Sequence, residues 1–204
     1  MSVKYGLSKS IIFKESGDIN ETSPFGKRTL NGKTVNHKGV DVVRYVGYNT
    51  TATIVTIADG KIKAVKNTVK GVDHKKNLAG NYVDIDHGGG MVSRYFHLKY
   101  GSIPASVRVG ATIKKGDIIG YMGNTGDSYG AHLHFQLEQN GIPIDGAPYL
   151  KGEKSIKKPD ANDYINLIVE KVGYDNPEPV VEAFKKVEHK YINDLWRKLW
   201  EALK

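Results

Sequence analysis

The 204-residue chain contains no cysteine. Disulfides and thiolate metal sites are therefore excluded, and any metal site must be built from His, Asp or Glu. No apolar run approaches the roughly 20 residues of a membrane-spanning helix. The opening stretch, MSVKYGLSKSIIFKESGD, lacks the apolar core and small-residue cleavage site of a secretory signal. Acidic residues are the scarcer charged type, leaving a formal net charge of +8. The surplus is uneven. Residues 1–150 hold 19 Lys and Arg against 12 Asp and Glu, whereas residues 151–204 hold 11 against 10. A basic first part suits polyanions such as nucleic acid, anionic membrane or wall polymer, and equally a solvated face. No nucleic-acid-binding motif accompanies the charge, so nucleic acid is not expected as a partner.

What is present divides into two textures. Up to about residue 150, short alternating runs rich in Val, Ile and Thr read as strands: 51–58 (TATIVTIA), 82–87 (YVDIDH), 91–98 (MVSRYFHL) and 132–138 (HLHFQLE). Asn-Gly, Asp-Gly and Gly-Gly pairs punctuate them. This pattern predicts a mainly β domain over 1–150, an antiparallel sandwich of two sheets. Residues 151–160 (KGEKSIKKPD) read as a charged linker. Over 161–204 the spacing turns helical. Val180, Phe184, Val187, Tyr191, Leu195 and Leu199 mark one face, widened by Trp196 and Trp200. That stripe calls for a cover, whether the neighbouring domain, a partner or a second copy.

Seven histidines stand at 37, 74, 87, 97, 132, 134 and 189. His132 and His134 lie two apart, so on a strand both face one space, about 7 Å apart along the backbone. One of the pair can bind a metal while the other stays beside it. His37 and Asp41 lie four apart, and a straight strand would hold them about 13 Å from each other. Gly39 between them permits the bend that would bring both to one ion. Two His and one carboxylate make a zinc site that keeps a position open for water. The remaining histidines would serve as general base, general acid or oxyanion donor. His97, on a further strand, would supply that role from the opposite side of the site.

At this point the chain resembles the lysostaphin/LytM-type zinc endopeptidases. The pieces are HKGVD at 37–41, RYFHL at 94–98, the glycine-punctuated VGATIKKGDIIGYMGNTG at 109–126, and HLHF at 132–135. Together they span roughly 37–145. The resemblance implies a LytM-like β fold, a zinc ion held by His37, Asp41 and His134, and catalytic roles for His97 and His132. It also implies a glycine-rich hairpin and loop over 109–126. The implied activity is hydrolysis of peptide bonds in bacterial peptidoglycan, in a cross-bridge or a stem peptide, with action at the cell wall. With no signal seen at the start, a bacteriophage lysin is the expected setting, a secreted enzyme trimmed of its signal the other. The chain departs from lysostaphin's near relatives in one respect. They carry a tyrosine shortly before the first ligand, where this chain reads TLNGKTVN at 29–36. Asn31 or a residue from elsewhere would substitute, and a stem-peptide or other cross-bridge bond is expected as readily as lysostaphin's glycine bridge.

Other readings remain open. The same fold could serve as a non-catalytic wall-binding or regulatory module. Two His and a carboxylate also describe non-haem iron oxygenases, although their first pair is usually HxD. Asp84 and Asp86 share a strand face and could mimic a glycosidase pair, but are expected on the solvated side. His74 is expected to be exposed, His87 to serve a turn and His189 to sit on a helix surface.

Overall fold

The computed structural model describes residues 8–9, 11–15, 18–30, 32–45 and 52–157. The chain divides into two compact units, Met1–Ile156 and Lys157–Lys204. The helices expected over 161–204, His189 and Asn31 lie outside the described residues.

The first unit is mainly β, as the alternating runs predict. Its early strands are β1 (Ser8–Lys9), β2 (Asp18–Ser23), β3 (Gly26–Leu30), β4 (Lys33–His37) and β5 (Val40–Tyr45). There follow β6 (Thr53–Val55), β7 (Gly60–Lys66), β8 (Asn81–Gly88) and β9 (Met91–Leu98). The last are β10 (Thr112–Ile113), β11 (Ile118–Tyr121), β12 (Leu133–Gln139) and β13 (Ile142–Ile144), then a single helical turn, α1 (Ala147–Leu150). A large antiparallel sheet runs β1-β2-β5-β12-β9-β8-β7-β10, with β13 paired to β12. Two small sheets, β11-β6 and β3-β4, complete the described strands. Hairpins close where the sequence carries its turn pairs. Asn140 and Gly141 take φ of 52° and 79°, and Gly89 and Gly90 take 56° and 76°. These are the left-handed values that two-residue hairpin turns require.

Period-two alternation fixes what each strand buries. On β12, Leu133, Phe135 and Leu137 are fully buried in the core, joined by Tyr95 of β9 and Val83 and Ile85 of β8. The intervening residues His134, Gln136 and Glu138 therefore face the other way. The core side also holds a polar chain. His87 Nδ1 donates to the Asp59 carbonyl at 2.7 Å, and its Nε2 lies 2.7 Å from Ser93 Oγ. Ser93 Oγ is 3.2 Å from the Tyr95 hydroxyl, which accepts from the Ile57 amide at 3.3 Å. Burial lowers the His87 pKa, keeping the ring neutral in this network.

Three expectations are corrected here. His87 is a buried network residue within β8 rather than a turn residue. Asp84 is 5% exposed and pairs with Arg94 at 3.2 Å, so of the two residues on this face only Asp86 is exposed to solvent. The 109–126 stretch is not a hairpin. β10 pairs with β7 in the large sheet and β11 pairs with β6 in a small one. The turn at Gly116-Asp117 thus hands the chain from one sheet to another. Glycine punctuation marks such a turn without naming the strand that comes next.

Candidate metal centre

Four strands bring the site together. β12 lies between β5 and β9, with His134 opposite Asp41 on one side and Phe96 on the other. His37 ends β4, and the chain bends through Lys38 and Gly39 before β5 begins. Gly39 is needed for space. A Cβ there would sit 2.5 Å from the Phe135 carbonyl oxygen and 2.6 Å from His134 Nε2.

His37 Nε2, His134 Nδ1 and Asp41 Oδ1 converge. The separations are 3.0 Å between the two histidine nitrogens, 3.2 Å from His37 to Asp41 and 2.8 Å from His134 to Asp41. Metal–donor bonds of about 2.0–2.1 Å in a tetrahedral site place donors about 3.3 Å apart, so this triangle is of the right size. The protons fit as well. His37 Nδ1 donates to the Pro24 carbonyl at 2.8 Å, which leaves a lone pair on Nε2. Asp41 offers only lone pairs, so any proton within the triangle sits on a histidine nitrogen. Burial would raise the Asp41 pKa, but hydrogen bonds from His134 and His37, with their charge, hold it far below the usual carboxylate range. Among the described residues this is the one cluster of His, Asp and Glu donors with the geometry to hold a metal.

His97 and His132 stand beside the trio. Their ring centroids are 4.7 Å apart, and His97 meets His134 edge-on at 5.9 Å. His97 Nδ1 donates to the Thr125 carbonyl at 2.8 Å, and His132 Nδ1 donates to the Gly130 carbonyl at 2.8 Å. Each carbonyl thus engages Nδ1 and leaves Nε2 as the other ring nitrogen, and that of His132 is 3.7 Å from Asp41 Oδ1. Burial, then the charge of His132, lowers the His97 pKa to about 4.

His97 comes from the strand next to His134 rather than from across the site. A bulge explains how it turns in. Asn81 pairs with Leu98 and Val83 with Tyr95, so β9 carries an extra residue there. His97 sits in that bulge with φ of 63°, a left-handed conformation that a non-glycine residue adopts at some cost. His132 precedes β12 and bridges Gly123 instead of lying within the strand. All five histidine and aspartate positions singled out from the sequence meet here. His74 does not: it is half-exposed, pairs with Asp127 at 2.6 Å and stacks on Tyr129.

Sequence reasoning missed the supports. Arg28 Nη1 reaches Asp41 Oδ2 at 3.3 Å, and the Phe96 ring stacks on His134 at 5.4 Å. The orienting carbonyls of Pro24, Thr125 and Gly130 have no side-chain signature at all.

Residues 35–146 match the profile of Peptidase family M23. The peptidoglycan DD-endopeptidase ShyB of Vibrio cholerae is 32% identical over 123 residues, which cover 60% of this chain and 25% of ShyB. An uncharacterized metalloprotease of Buchnera aphidicola is 29% identical over 169 residues, covering 80% of this chain and 40% of that protein. The chain thus spans less than half the length of these relatives. Among solved structures, a zinc-containing peptidase from Vibrio cholerae is 28% identical with a TM-score of 0.50, covering 68% of this chain and 39% of that one. LytU is 30% identical with a TM-score of 0.50, covering 67% and 90%. The profile match alone extends over more than half of the sequence and contains the whole trio: the chain belongs to peptidase family M23.

Proposed function

We propose that this protein is a zinc-dependent endopeptidase that hydrolyses peptide bonds in bacterial peptidoglycan. The observation that carries the reading is the convergence of His37 Nε2, His134 Nδ1 and Asp41 Oδ1 beside two further histidines whose rings are fixed by backbone carbonyls. His37, Asp41 and His134 would hold the zinc. A zinc ion held there would supply Lewis-acid chemistry, bringing the pKa of water at its open position towards about 7. His97 is neutral at neutral pH, so its Nε2 lone pair can take a proton. His132 Nε2, next to Asp41, holds or returns a proton at the scissile group. Phe96 keeps the His134 ring from rotating.

The DD-endopeptidase relatives favour a stem-peptide cross-link over a glycine bridge. Action would be at the cell wall, and the cation surplus on residues 1–150 suits anionic wall polymers. The relatives named above are bacterial proteins, which lends the bacteriophage setting no support.

The test is digestion of purified peptidoglycan with and without a chelator, followed by mass analysis of the fragments and assay of new amino groups. Chelator-sensitive release of cross-link fragments, with zinc as the bound metal, is expected. Wall binding without cleavage, or iron as the bound metal, overturns the proposal.

A further inference from the structure

We infer that Arg28 is a positioning residue of the metal centre, holding the outer oxygen of Asp41 so that the carboxylate presents a single oxygen to the ion. This rests on the reading of the trio as a zinc site. The two oxygens of Asp41 are divided. Oδ1 faces His37 and His134, while Oδ2 faces Arg28 Nη1 at 3.3 Å. A carboxylate held through one oxygen alone is free to twist. With both oxygens on the ion it would take up the position that a catalytic zinc keeps for water. Arg28 removes that option by occupying Oδ2.

The local fold is built to bring the guanidinium there. Gly26 pairs with His37 and Arg28 with Val35, so Arg28 and His37 share one face of the β3–β4 ribbon. In β2 a register shift after Glu21 sets Ser23 opposite Asp41. Ser23 Oγ accepts a hydrogen bond from the same Arg28 Nη1 and lies 3.5 Å from His37 Nδ1. One guanidinium nitrogen is thus pinned between the serine and the aspartate. Stability alone is a poor account of this placement. Arg28 Nε is buried without a hydrogen-bond partner among the described residues, and a cation beside a divalent ion repels it. Orientation of the carboxylate offsets both.

The experiment measures zinc retention by competition with a chromogenic chelator for the wild type, R28Q and R28K, alongside the melting temperature of each metal-free protein. R28Q is expected to hold zinc 10- to 100-fold more weakly, the usual effect of removing an outer-shell partner. R28K should fall in between, because a lysine cannot reproduce the planar guanidinium contact. The metal-free melting temperatures should stay together. Zinc held as tightly as in the wild type, or more tightly, by either variant overturns the assignment. So does a zinc loss matched by a fall in metal-free melting temperature. If R28Q does not fold, R28K decides by the same criteria. A wild type that fails to hold zinc overturns the metal reading itself, and this inference with it.

Discussion

His37 Nε2 lies 3.0 Å from His134 Nδ1, although 97 residues separate the two in the chain. They meet through different ring nitrogens. The Pro24 carbonyl claims Nδ1 of His37, whereas the approach of β5 to β12 turns Nδ1 of His134 towards Asp41.

That geometry separates two kinds of histidine. His134→Ala should abolish zinc binding and reduce hydrolysis by at least about 10³-fold, since both a donor and the ion are lost. His132→Ala should retain about one zinc per chain and slow cleavage by about 10²- to 10⁴-fold, the usual contribution of acid–base catalysis. Metal analysis and cleavage rates on the same samples check this. Equal zinc loss in the two variants would erase the distinction.

Gly39→Ala tests the crossing beneath the site. The added methyl would lie 2.5 Å from a backbone oxygen and 2.6 Å from the His134 ring, and neither can withdraw cheaply. A destabilisation of about 1–3 kcal/mol is expected, with weakened metal binding. Urea unfolding of the metal-free protein measures the first and chelator competition the second. A variant as stable as the wild type would mean that the strand pair relaxes freely.

His97 should titrate near pH 4 in the metal-free protein, because burial, then the charge of His132, lowers its pKa to about 4. The folded value lies below the unfolded value of about 6.5. The unfolded chain therefore binds more protons in that interval. The stability linked to His97 is present above pH 6.5 and lost as the pH falls through 4, on the order of 3 kcal/mol in full. Histidine NMR titration gives the midpoint directly, and a value near 6.5 would contradict the burial argument.

Asp84 has the opposite sign. Burial raises its pKa to about 6 against the pull of Arg94, while neighbouring Glu138 adds to the rise. A carboxyl raised in the folded state stabilises below its unfolded value near 3.8, and this is lost as the pH rises through 6. Asp84→Asn should therefore gain stability relative to the wild type between pH 4 and 7, on the order of 2 kcal/mol. Urea denaturation at both ends of the range checks it. A difference that does not change with pH would show that Asp84 is ionised throughout.

Legibility followed the range of the interaction. The strand at 91–98 matches β9 residue for residue, since period-two alternation over a buried face is a local property. The buried state of Asp84 was not legible. It depends on Arg94, and on Glu138, being brought alongside by two strand pairings. The same applies to His87, whose partners Asp59 and Ser93 come from outside its own hairpin turn. The 109–126 stretch was misjudged for a related reason. Turn chemistry is written in Gly116-Asp117, but the pairing of the strands on either side is not.

The sequence by itself determined the chemistry available. Without cysteine, and with His37, Asp41, His97, His132 and His134 in ordered motifs, only a histidine–carboxylate centre could form. Tertiary structure decided how those side chains act. The bulge at His97, the carbonyls of Pro24, Thr125 and Gly130, and the Arg28 contact each set an orientation. Residue identity supplies the donor atoms. Which nitrogen faces inward depends on backbone groups that any residue could provide, and only folding places those.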